Sequence, residues 1–336
     1  MMSIDAHAAT PRHALLHLLH GKFVARCIGL AAELGIADRL RDGPRAIERL
    51  AEDTGSHPWA LYRVMRALAG IGVFAEPAER TFALTPLSQA LRSDAPGSMR
   101  GMARWLGAEP EAWRAWGDLG LSVRTGKPAC PEVFDYFAAN PAAGEVFDEA
   151  MTSNSAATAQ AVATAYDFAN AGHVVDVGGG LGALLLAIRA AHPTLRATLF
   201  EVPPVVARAR AALAGEADWL ALAAGDFFEG EVPAGDTYLL KHVIHDWSDE
   251  RAATILRRCG EQLQPGGRVL VIEHLLTAEA SPVHWIDLEM LVMTGGGQER
   301  TAAEFVELFA RAGLALSRTI ETTASVVIFE AVAATT

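Results

Sequence analysis

The chain has 336 residues, 51% hydrophobic and 20% charged, so it is long enough for about two globular domains and too apolar to be largely disordered. Lysine and arginine total 28 against 40 aspartates and glutamates, which gives a formal charge of −12. Because nucleic-acid binding depends on cationic side chains that neutralise phosphates, we expect no nucleic acid as partner.

Cysteine usage and the N-terminal sequence indicate where the protein works. Cys27, Cys130 and Cys259 are far apart and form no CxxC pair, which argues against a zinc ribbon or a disulfide framework and favours a reducing cytoplasm. The N-terminus lacks an apolar run after a basic start, and no stretch of about 18 uncharged apolar residues occurs. We therefore predict a cytoplasmic protein with no secretory signal and no membrane partner.

The first 95 residues are predicted to form a mainly helical module. Apolar residues recur at spacings of three and four from His13 to Leu40, which indicates an amphipathic helical stretch that Gly35 interrupts. Two shorter helices are predicted over 44–52 and 58–69, followed by a hairpin made of residues 73–74 and 81–84. This order is that of a winged-helix-like domain. Its arginines alternate with acidic residues, so a role in packing or dimerisation is favoured over DNA binding.

Residues 96–170 are predicted to be helical and are rich in tryptophan and methionine. Breaks at 107–110 and 126–128 divide this segment into separate helices. Such side chains are more often core than ligand contacts. We predict a helical linker or cap that contributes a minority of them to a substrate pocket.

From residue 171 to 336 short apolar strands alternate with helices, which predicts a Rossmann-like, doubly wound and mostly parallel sheet. The predicted strands are 173–177, 196–201, 220–224, 236–241 and 268–273, with a closing pair at 314–320 and 325–331. Helices are predicted over 182–191, 205–213, 249–263 and 301–312. The domain boundary is expected near 170–172.

A glycine-rich turn after the first of these strands predicts a nucleotide site. The run from Asp176 to Gly182, DVGGGLG, fits both the dinucleotide fingerprint, with Glu201 as ribose partner, and a loop for S-adenosylmethionine (SAM). Asp176 would repel a pyrophosphate but attract a sulfonium and an ammonium group. Asp226, after the third strand, can accept a hydrogen bond from adenine, and Phe227 can cover the ring. The three carboxylates together favour SAM over NAD.

The segment after the fourth strand carries the predicted chemistry. His245 lies beyond the strand's carboxyl end, and an imidazole suits a general base near neutral pH. A metal site of His242, His245 and Asp246 is an alternative, but no HExxH pattern accompanies it, so no metal is predicted. Glu273 ends the fifth strand and Glu299 precedes a helix. Either carboxylate could bond the second imidazole nitrogen and orient the ring.

The chain resembles the class I SAM-dependent small-molecule O-methyltransferases, in particular the caffeate, hydroxyindole and polyketide type with an N-terminal dimerisation domain. The resemblance covers nearly the whole chain. The motifs that carry it are DVGGGLG at 176–182, FEVP at 200–203, GDFF at 225–228, LLKHVIHDWSDE at 239–250, VIEHLL at 271–276 and GGGQERTAAEF at 295–305.

The resemblance implies a role for each site residue. Its cofactor-binding residues are Ser155, Asp176, Gly178, Gly180, Glu201, Asp226, Phe227 and Lys241. His245 corresponds to the catalytic base, flanked by Glu273 and Glu299. The residues bordering an aromatic acceptor are Met151, Asp246, Trp247, Met290 and Met293.

Two departures from the family pattern stand out. Glu201 replaces the commoner aspartate but keeps a carboxylate. Asn154 stands where plant members often have histidine, which points to a different acceptor pocket. The intact His245–Asp246 pair argues against relatives that bind SAM but perform other chemistry on polyketides.

We therefore expect a homodimeric, metal-independent enzyme of secondary metabolism, such as antibiotic biosynthesis. It would transfer the methyl group of SAM to a hydroxyl of an aromatic small molecule and release S-adenosylhomocysteine. Two alternatives remain: a relative that carries out N-methylation, hydroxylation or decarboxylation, and a winged-helix regulator that senses SAM.

Overall fold

The computed structural model describes residues 10–130 and 133–334, without the side chains of Asn154 and Ala156. The expectation for Asn154 therefore lies outside the described residues. The chain divides into two compact units. The first contains the described residues up to Trp113 together with Glu145–Ser153, and the second contains Arg114–Gly144 and the chain from Asn154 onward.

The N-terminal part is mainly helical, as predicted. Its elements are α1 (Pro11–Leu19), α2 (Gly21–Glu33), α3 (Ile36–Arg39), β1 (Arg45–Ala46), α4 (Ile47–Thr54), α5 (Pro58–Gly70), β2 (Phe74–Ala78), β3 (Thr81–Leu84), α6 (Pro86–Gln89), α7 (Arg100–Gly107), α8 (Pro110–Gly117), α9 (Leu119–Thr125), α10 (Val133–Ala139) and α11 (Pro141–Ala165).

Two of the predicted N-terminal helices differ from the structure. The helical stretch from His13 to Leu40 breaks at Gly35, which has a φ of 61°, as expected, but it also breaks at His20, which was not expected, so it forms three helices. The helix expected from Pro44 begins only at Ile47. The preceding two residues form β1, which pairs with β3 and completes a three-stranded sheet in the order β1-β3-β2.

Two glycines bring the backbones of α2 and α7 together. A Cβ placed on Gly29 would lie 2.3 Å from the carbonyl carbon of Gly107, and a Cβ on Gly107 would lie 2.4 Å from the carbonyl oxygen of Ala25. Arg26 donates to the carbonyl oxygens of Gly107 and Ala108, at 2.9 and 3.0 Å, and so binds the end of α7. Neither glycine can be replaced without moving a helix.

The first two helices expose an apolar face. Large side chains on it are more than two fifths exposed: Leu15, Leu16, Leu18, Leu19 and Phe23. The segment Pro11–Glu33 is long and apolar enough to cross a membrane by length and composition alone. The sequence analysis expected no membrane-spanning stretch, and this segment qualifies that expectation. The segment is, however, two separate helices and contains Lys22 and Arg26. An exposed apolar face of this kind also suits association with another protein surface.

A seven-stranded sheet dominates the second unit. Its elements, in chain order, are β4 (His173–Val177), α12 (Ala183–Ala191), β5 (Arg196–Glu201), α13 (Pro203–Ala212), β6 (Leu220–Ala224), β7 (Gly235–Lys241), α14 (Asp249–Glu261), β8 (Leu263–His274), α15 (Val283–Met293), α16 (Ala302–Arg311), β9 (Leu314–Glu321) and β10 (Val326–Ala333). The sheet order is β6-β5-β4-β7-β8-β10-β9.

The sheet is parallel except for β10, which runs antiparallel to both β8 and β9. The strand order reverses beside β4, since β5 lies on one side of it and β7 on the other. A ligand crevice forms at such a reversal, beyond the carboxyl ends of the strands. The predicted Rossmann-like, mostly parallel sheet is therefore confirmed, and the carboxyl ends of β4, β5, β7 and β8 lie along one edge of it.

Candidate active site

The turn after β4 depends on glycine at several positions. Gly178, Gly180 and Gly182 have φ values of 70°, 61° and 79°, a conformation that favours glycine. A Cβ on Gly179 would lie 2.3 Å from Oδ2 of Asp176. The turn therefore needs its glycines for conformation and for space.

Asp176 is a buried carboxylate without a hydrogen-bond partner among the described residues. It is the last but one residue of β4, its exposure is 0%, and neither of its oxygens is bonded. Burial raises the pKa of its carboxyl group to about 7, against the opposing attraction of Lys241. Because an unpaired buried carboxylate is costly, this residue fits a cationic ligand.

The predicted ribose and adenine residues lie at the ends of β5 and β6. Glu201 accepts hydrogen bonds from the backbone nitrogens of Gly180, at 3.0 Å, and Val202, at 2.9 Å. Asp226 is exposed and accepts a 2.7 Å bond from the nitrogen of Phe228. Phe227 packs edge-on against Phe228, with ring centroids 4.8 Å apart. The turn after β4 and the carboxylate ending β5 are thus directly linked.

Lys241 and Ser155 also lie together. The ammonium group of Lys241, at the end of β7, donates a 2.9 Å hydrogen bond to the hydroxyl of Ser155. Burial lowers the pKa of Lys241, against the attraction of Asp176 and Glu273. The residues predicted to hold the cofactor thus place three features around the turn after β4: the buried carboxyl group of Asp176, the carboxylate of Glu201 and the glycine backbone. This combination fits SAM.

His245 lies on a 3-10 turn, Ile244–Asp246, that follows β7; we call it the His245 turn. Its Nδ1 lies 2.7 Å from Oε1 of Glu299. Burial opposes a charged imidazole here, but Glu273, Asp246 and Glu299 outweigh it and raise the pKa of His245 to about 10. An imidazolium formed on this residue is therefore strongly stabilised.

Glu273, the second predicted flanking carboxylate, mainly binds backbone. Its Oε1 accepts hydrogen bonds from the nitrogens of Val243, Ile244 and His245, at 3.1, 2.9 and 3.2 Å. Its Oε2 lies 3.2 Å from Nδ1 of His242 but 3.8 Å from Nδ1 of His245. Despite burial, these partners hold the pKa of Glu273 well below its usual range. Glu299 therefore orients the ring, and Glu273 fixes the turn that carries it.

His242 is the second histidine of the sequence motif. It has a φ of 53°, unusual for a residue other than glycine. Burial, together with nearby Lys241, lowers its pKa to about 3, so its ring is neutral. The possible metal ligands brought together are His242, His245 and Glu273, whose ligand atoms lie within 4.8 Å of one another. Asp246, the third ligand of the alternative weighed from sequence, is not in this group, and the Glu273 oxygens already accept hydrogen bonds.

Asp246 lies near Nε2 of His245, and Trp247 packs in an aromatic cluster. Oδ1 of Asp246 lies 3.7 Å from Nε2 of His245, and burial raises the pKa of Asp246 to about 7. The ring of Trp247 stacks on Phe134, with centroids 5.6 Å apart. The guanidinium of Arg251 lies 4.4 Å from the centre of the Trp247 ring.

The methionines predicted to border the acceptor divide between the two units. Met290 and Met293 are buried on α15, a helix that the sequence analysis did not predict. On the same helix Glu289 accepts a hydrogen bond from the indole nitrogen of Trp116. Met151 is half-buried on α11 and belongs to the first unit.

Two helix starts beside the site were predicted, and the structure has both. Ser248 occupies the N-cap of α14, but its side chain makes no capping hydrogen bond. Thr301 caps α16 in a complete capping box with Glu304.

The sequence analysis missed Arg300, which is 1% exposed. A buried arginine is unusual, and its position next to Glu299 in the motif was the only available signal.

Fold and site together are those of a Rossmann-like methyltransferase. Comparison with known proteins refines this class. Residues 116–315 match the family model described as an O-methyltransferase domain, and residues 16–94 match the O-methyltransferase dimerisation domain. The second match includes most of the apolar segment formed by α1 and α2.

Individual relatives extend over almost the full length. The chain is 42% identical to phenazine O-methyltransferase PhzM of Lysobacter antibioticus, over 94% of this chain and 95% of the relative. It is 40% identical to the mitomycin biosynthesis 6-O-methyltransferase of Streptomyces lavendulae, over 94% and 92%.

A solved structure agrees with these relatives. The O-methyltransferase NcsB1 from neocarzinostatin biosynthesis, in complex with SAM and 2-hydroxy-5-methyl naphthoic acid, superposes with a TM-score of 0.82 at 33% identity. The match covers 97% of this chain and 100% of that one. The chain therefore belongs to the O-methyltransferase family, and the sequence-based assignment to a SAM-dependent O-methyltransferase is confirmed.

Proposed function

We propose that the enzyme methylates a hydroxyl group on an aromatic small molecule of secondary metabolism, with His245 as general base. One observation carries this proposal: Nδ1 of His245 is bonded to a buried carboxylate, Glu299, at 2.7 Å. A proton held at Nδ1 leaves Nε2 of the neutral ring free to accept the hydroxyl proton. The aromatic substrates named for the relatives support the acceptor class.

SAM supplies an electrophilic methyl group on a positively charged sulfur. The protein's part is to align the acceptor oxygen and to remove one proton. Nε2 of His245 takes that proton as the oxygen attacks, and Glu299, Glu273 and Asp246 stabilise the imidazolium that forms. Asp246, beside Nε2, and Trp247 are proposed to contact the acceptor.

The remaining assignments follow the same proposal. Asp176, Gly178 and Gly180 are proposed to hold the methionine end of SAM, Glu201 the ribose, and Asp226 with Phe227 the adenine. Lys241 and Ser155 support this cofactor site through their mutual hydrogen bond. Met290 and Met293 supply adaptable apolar surface for the acceptor. The acceptor role of Met151, and a cap formed by residues 96–170, stay predictions from sequence.

The substitution His245→Ala tests the proposal. We expect turnover to fall about 10²- to 10⁴-fold, because no base then accepts the proton. The dissociation constant of SAM, measured by calorimetry, should stay that of the unchanged enzyme. A matched control is His57→Ala, which removes an exposed histidine before α5 and should leave turnover unchanged.

The acceptor can be sought among hydroxylated phenazines and naphthoates. Product mass and NMR then decide between reaction types: one added methyl group on oxygen supports the proposal, whereas a methyl group on nitrogen or an added oxygen atom contradicts it. Full turnover by the alanine variant would remove His245 from its proposed role.

We further propose that the enzyme is a cytoplasmic homodimer that associates through its N-terminal domain. The family match to a dimerisation domain and the exposed apolar face of α1 and α2 support the association. No disulfide joins Cys27, Cys130 and Cys259, which is compatible with a reducing compartment. Sedimentation of the chain should give twice its monomer mass; a monomer at micromolar concentration would contradict the dimer.

A further inference from the structure

Arg300 has the largest side chain among the fully buried residues that the structure describes, with an exposure of 1%. It follows Glu299 directly, in the loop between α15 and α16. Removing a guanidinium from water costs several kcal/mol unless its donors are all satisfied. A charge buried beside the proposed catalytic histidine therefore needs an explanation.

The guanidinium of Arg300 spans the His245 turn. Nη1 donates a 3.0 Å hydrogen bond to the carbonyl oxygen of Ile244, just before His245. Nη2 donates a 2.7 Å bond to the carbonyl oxygen of Trp247, two residues after it. Nε donates a 3.0 Å bond to Oδ1 of Asp249, the first residue of α14. One side chain thus binds both sides of the turn and the helix that follows.

The backbone around Arg300 reinforces the same connection. The nitrogen of Gln298 donates to the carbonyl oxygen of His245 at 2.9 Å, and its side-chain nitrogen donates to Asp249 at 3.1 Å. The carbonyl oxygen of Arg300 accepts a 2.9 Å bond from Leu276, just beyond the end of β8. The loop that carries Glu299 is thus tied to the turn that carries His245.

We propose that Arg300 is a positioning residue for methyl transfer: it fixes the His245 turn against the Glu299 loop, so that the imidazole stays bonded to Glu299. This inference rests on the proposed role of His245 as base. The planar fork of arginine reaches three acceptors in fixed directions, which the single ammonium group of lysine does not. A residue needed only for folding would change stability but not the rate of the folded enzyme.

The substitution Arg300→Lys separates these roles. We expect the rate of a single turnover, per SAM-binding site, to fall about 10- to 100-fold, because small displacements of a catalytic group are costly. The dissociation constant of SAM and the KM of the acceptor should stay close to their original values. The matched control is Arg311→Met, which removes an exposed arginine that also faces Asp249 (3.6 Å) but makes no described bond to the turn; it should retain the full rate.

A second variant tests the inference in case Arg300→Lys fails to fold. Arg300→Met combined with Asp249→Asn removes both charges and so leaves no unpaired ion buried. We expect the same loss of rate in this variant. An unchanged rate per binding site in either variant would overturn the inference, and so would failure of both variants to bind SAM, which would assign Arg300 to folding alone.

The two proposals fail differently. Full activity of the His245→Ala variant would overturn the base role, whatever Arg300 does. A strong loss in that variant, combined with a normal rate for Arg300→Lys, would overturn only the positioning role.

Discussion

Asp176 and Glu273 are two buried carboxylates of the same sheet with opposite electrostatic properties. Asp176 is in β4 and Glu273 in β8, with β7 between them, and both are 0% exposed. Burial raises the pKa of Asp176 to about 7, whereas the pKa of Glu273 lies below its usual range. The difference is in their partners: Glu273 is bonded to three backbone nitrogens and His242, and Asp176 to none among the described residues.

The comparison shows that burial alone does not define the role of an acidic residue. A carboxylate whose bonds are all made within the protein is part of the scaffold, and here it shapes the His245 turn. A carboxylate that is buried without bonds is unfavourable until a ligand supplies them. We therefore expect Glu273 to support stability and Asp176 to support binding.

The largest expected effect is on stability. Glu273→Gln should lower the free energy of unfolding by about 3 kcal/mol, because a neutral amide cannot replace a carboxylate that accepts several buried bonds. Asp176→Asn should not lower it at pH 8, since the buried position no longer has to hold a charge. Urea unfolding of both variants without SAM measures the two values. Equal destabilisation by the two substitutions would contradict the claim that Glu273 supports stability and Asp176 does not.

A smaller effect is expected on the pH dependence of catalysis. A general base must be neutral, so kcat/KM should rise with pH as His245, whose pKa is raised to about 10, loses its proton. Glu299→Gln removes a carboxylate that favours the imidazolium. The rising limb should therefore move to lower pH, and the maximum should fall about 10- to 100-fold.

The control for this shift is Glu304→Gln, which removes an exposed charge of the capping box of α16 without touching His245. Its pH profile should match that of the unchanged enzyme. If the rising limb of kcat/KM stays at the same pH in the Glu299→Gln variant, the orienting role of Glu299 is contradicted.

The smallest effect concerns SAM binding. The folded-state pKa of Asp176 is raised to about 7, so its carboxyl group is neutral below that pH and charged above it. Affinity for a cationic ligand should rise with pH, by about tenfold from pH 6 to pH 7.5. Calorimetry should show this rise for the unchanged enzyme and a weak, nearly pH-independent affinity for Asp176→Asn. An unchanged affinity in the variant would remove Asp176 from the binding site.

The first three strands of the second half could be predicted closely from sequence, because each is a short, largely apolar run that ends next to a glycine, a proline or a charged residue. Strands β4, β5 and β6 begin and end where predicted. The glycine run after β4 also located the turn, since three positive φ values there favour glycine.

Features set by tertiary contacts were harder to predict. Strand β1 is two residues long and exists through its pairing with β3, so its sequence carries no strand pattern. Helix α15 has apolar residues on several faces and thus lacks an amphipathic period. From sequence Glu273 and Glu299 were equivalent candidates; only the three-dimensional path of the chain determines that Glu299 meets the imidazole and Arg300 the carbonyls.

The contact of Gly29 with Gly107 has a consequence for engineering the N-terminal domain. Two main chains that touch through hydrogen atoms act as a rigid spacer of fixed thickness, which admits no intermediate side-chain size. The outer face of α2 therefore cannot be shifted by conservative exchanges behind it. Under the proposed association through this domain, subunit pairing should instead be changed at exposed side chains such as Leu18 of α1 and Phe23 of α2, where size and polarity can vary without disturbing the interior.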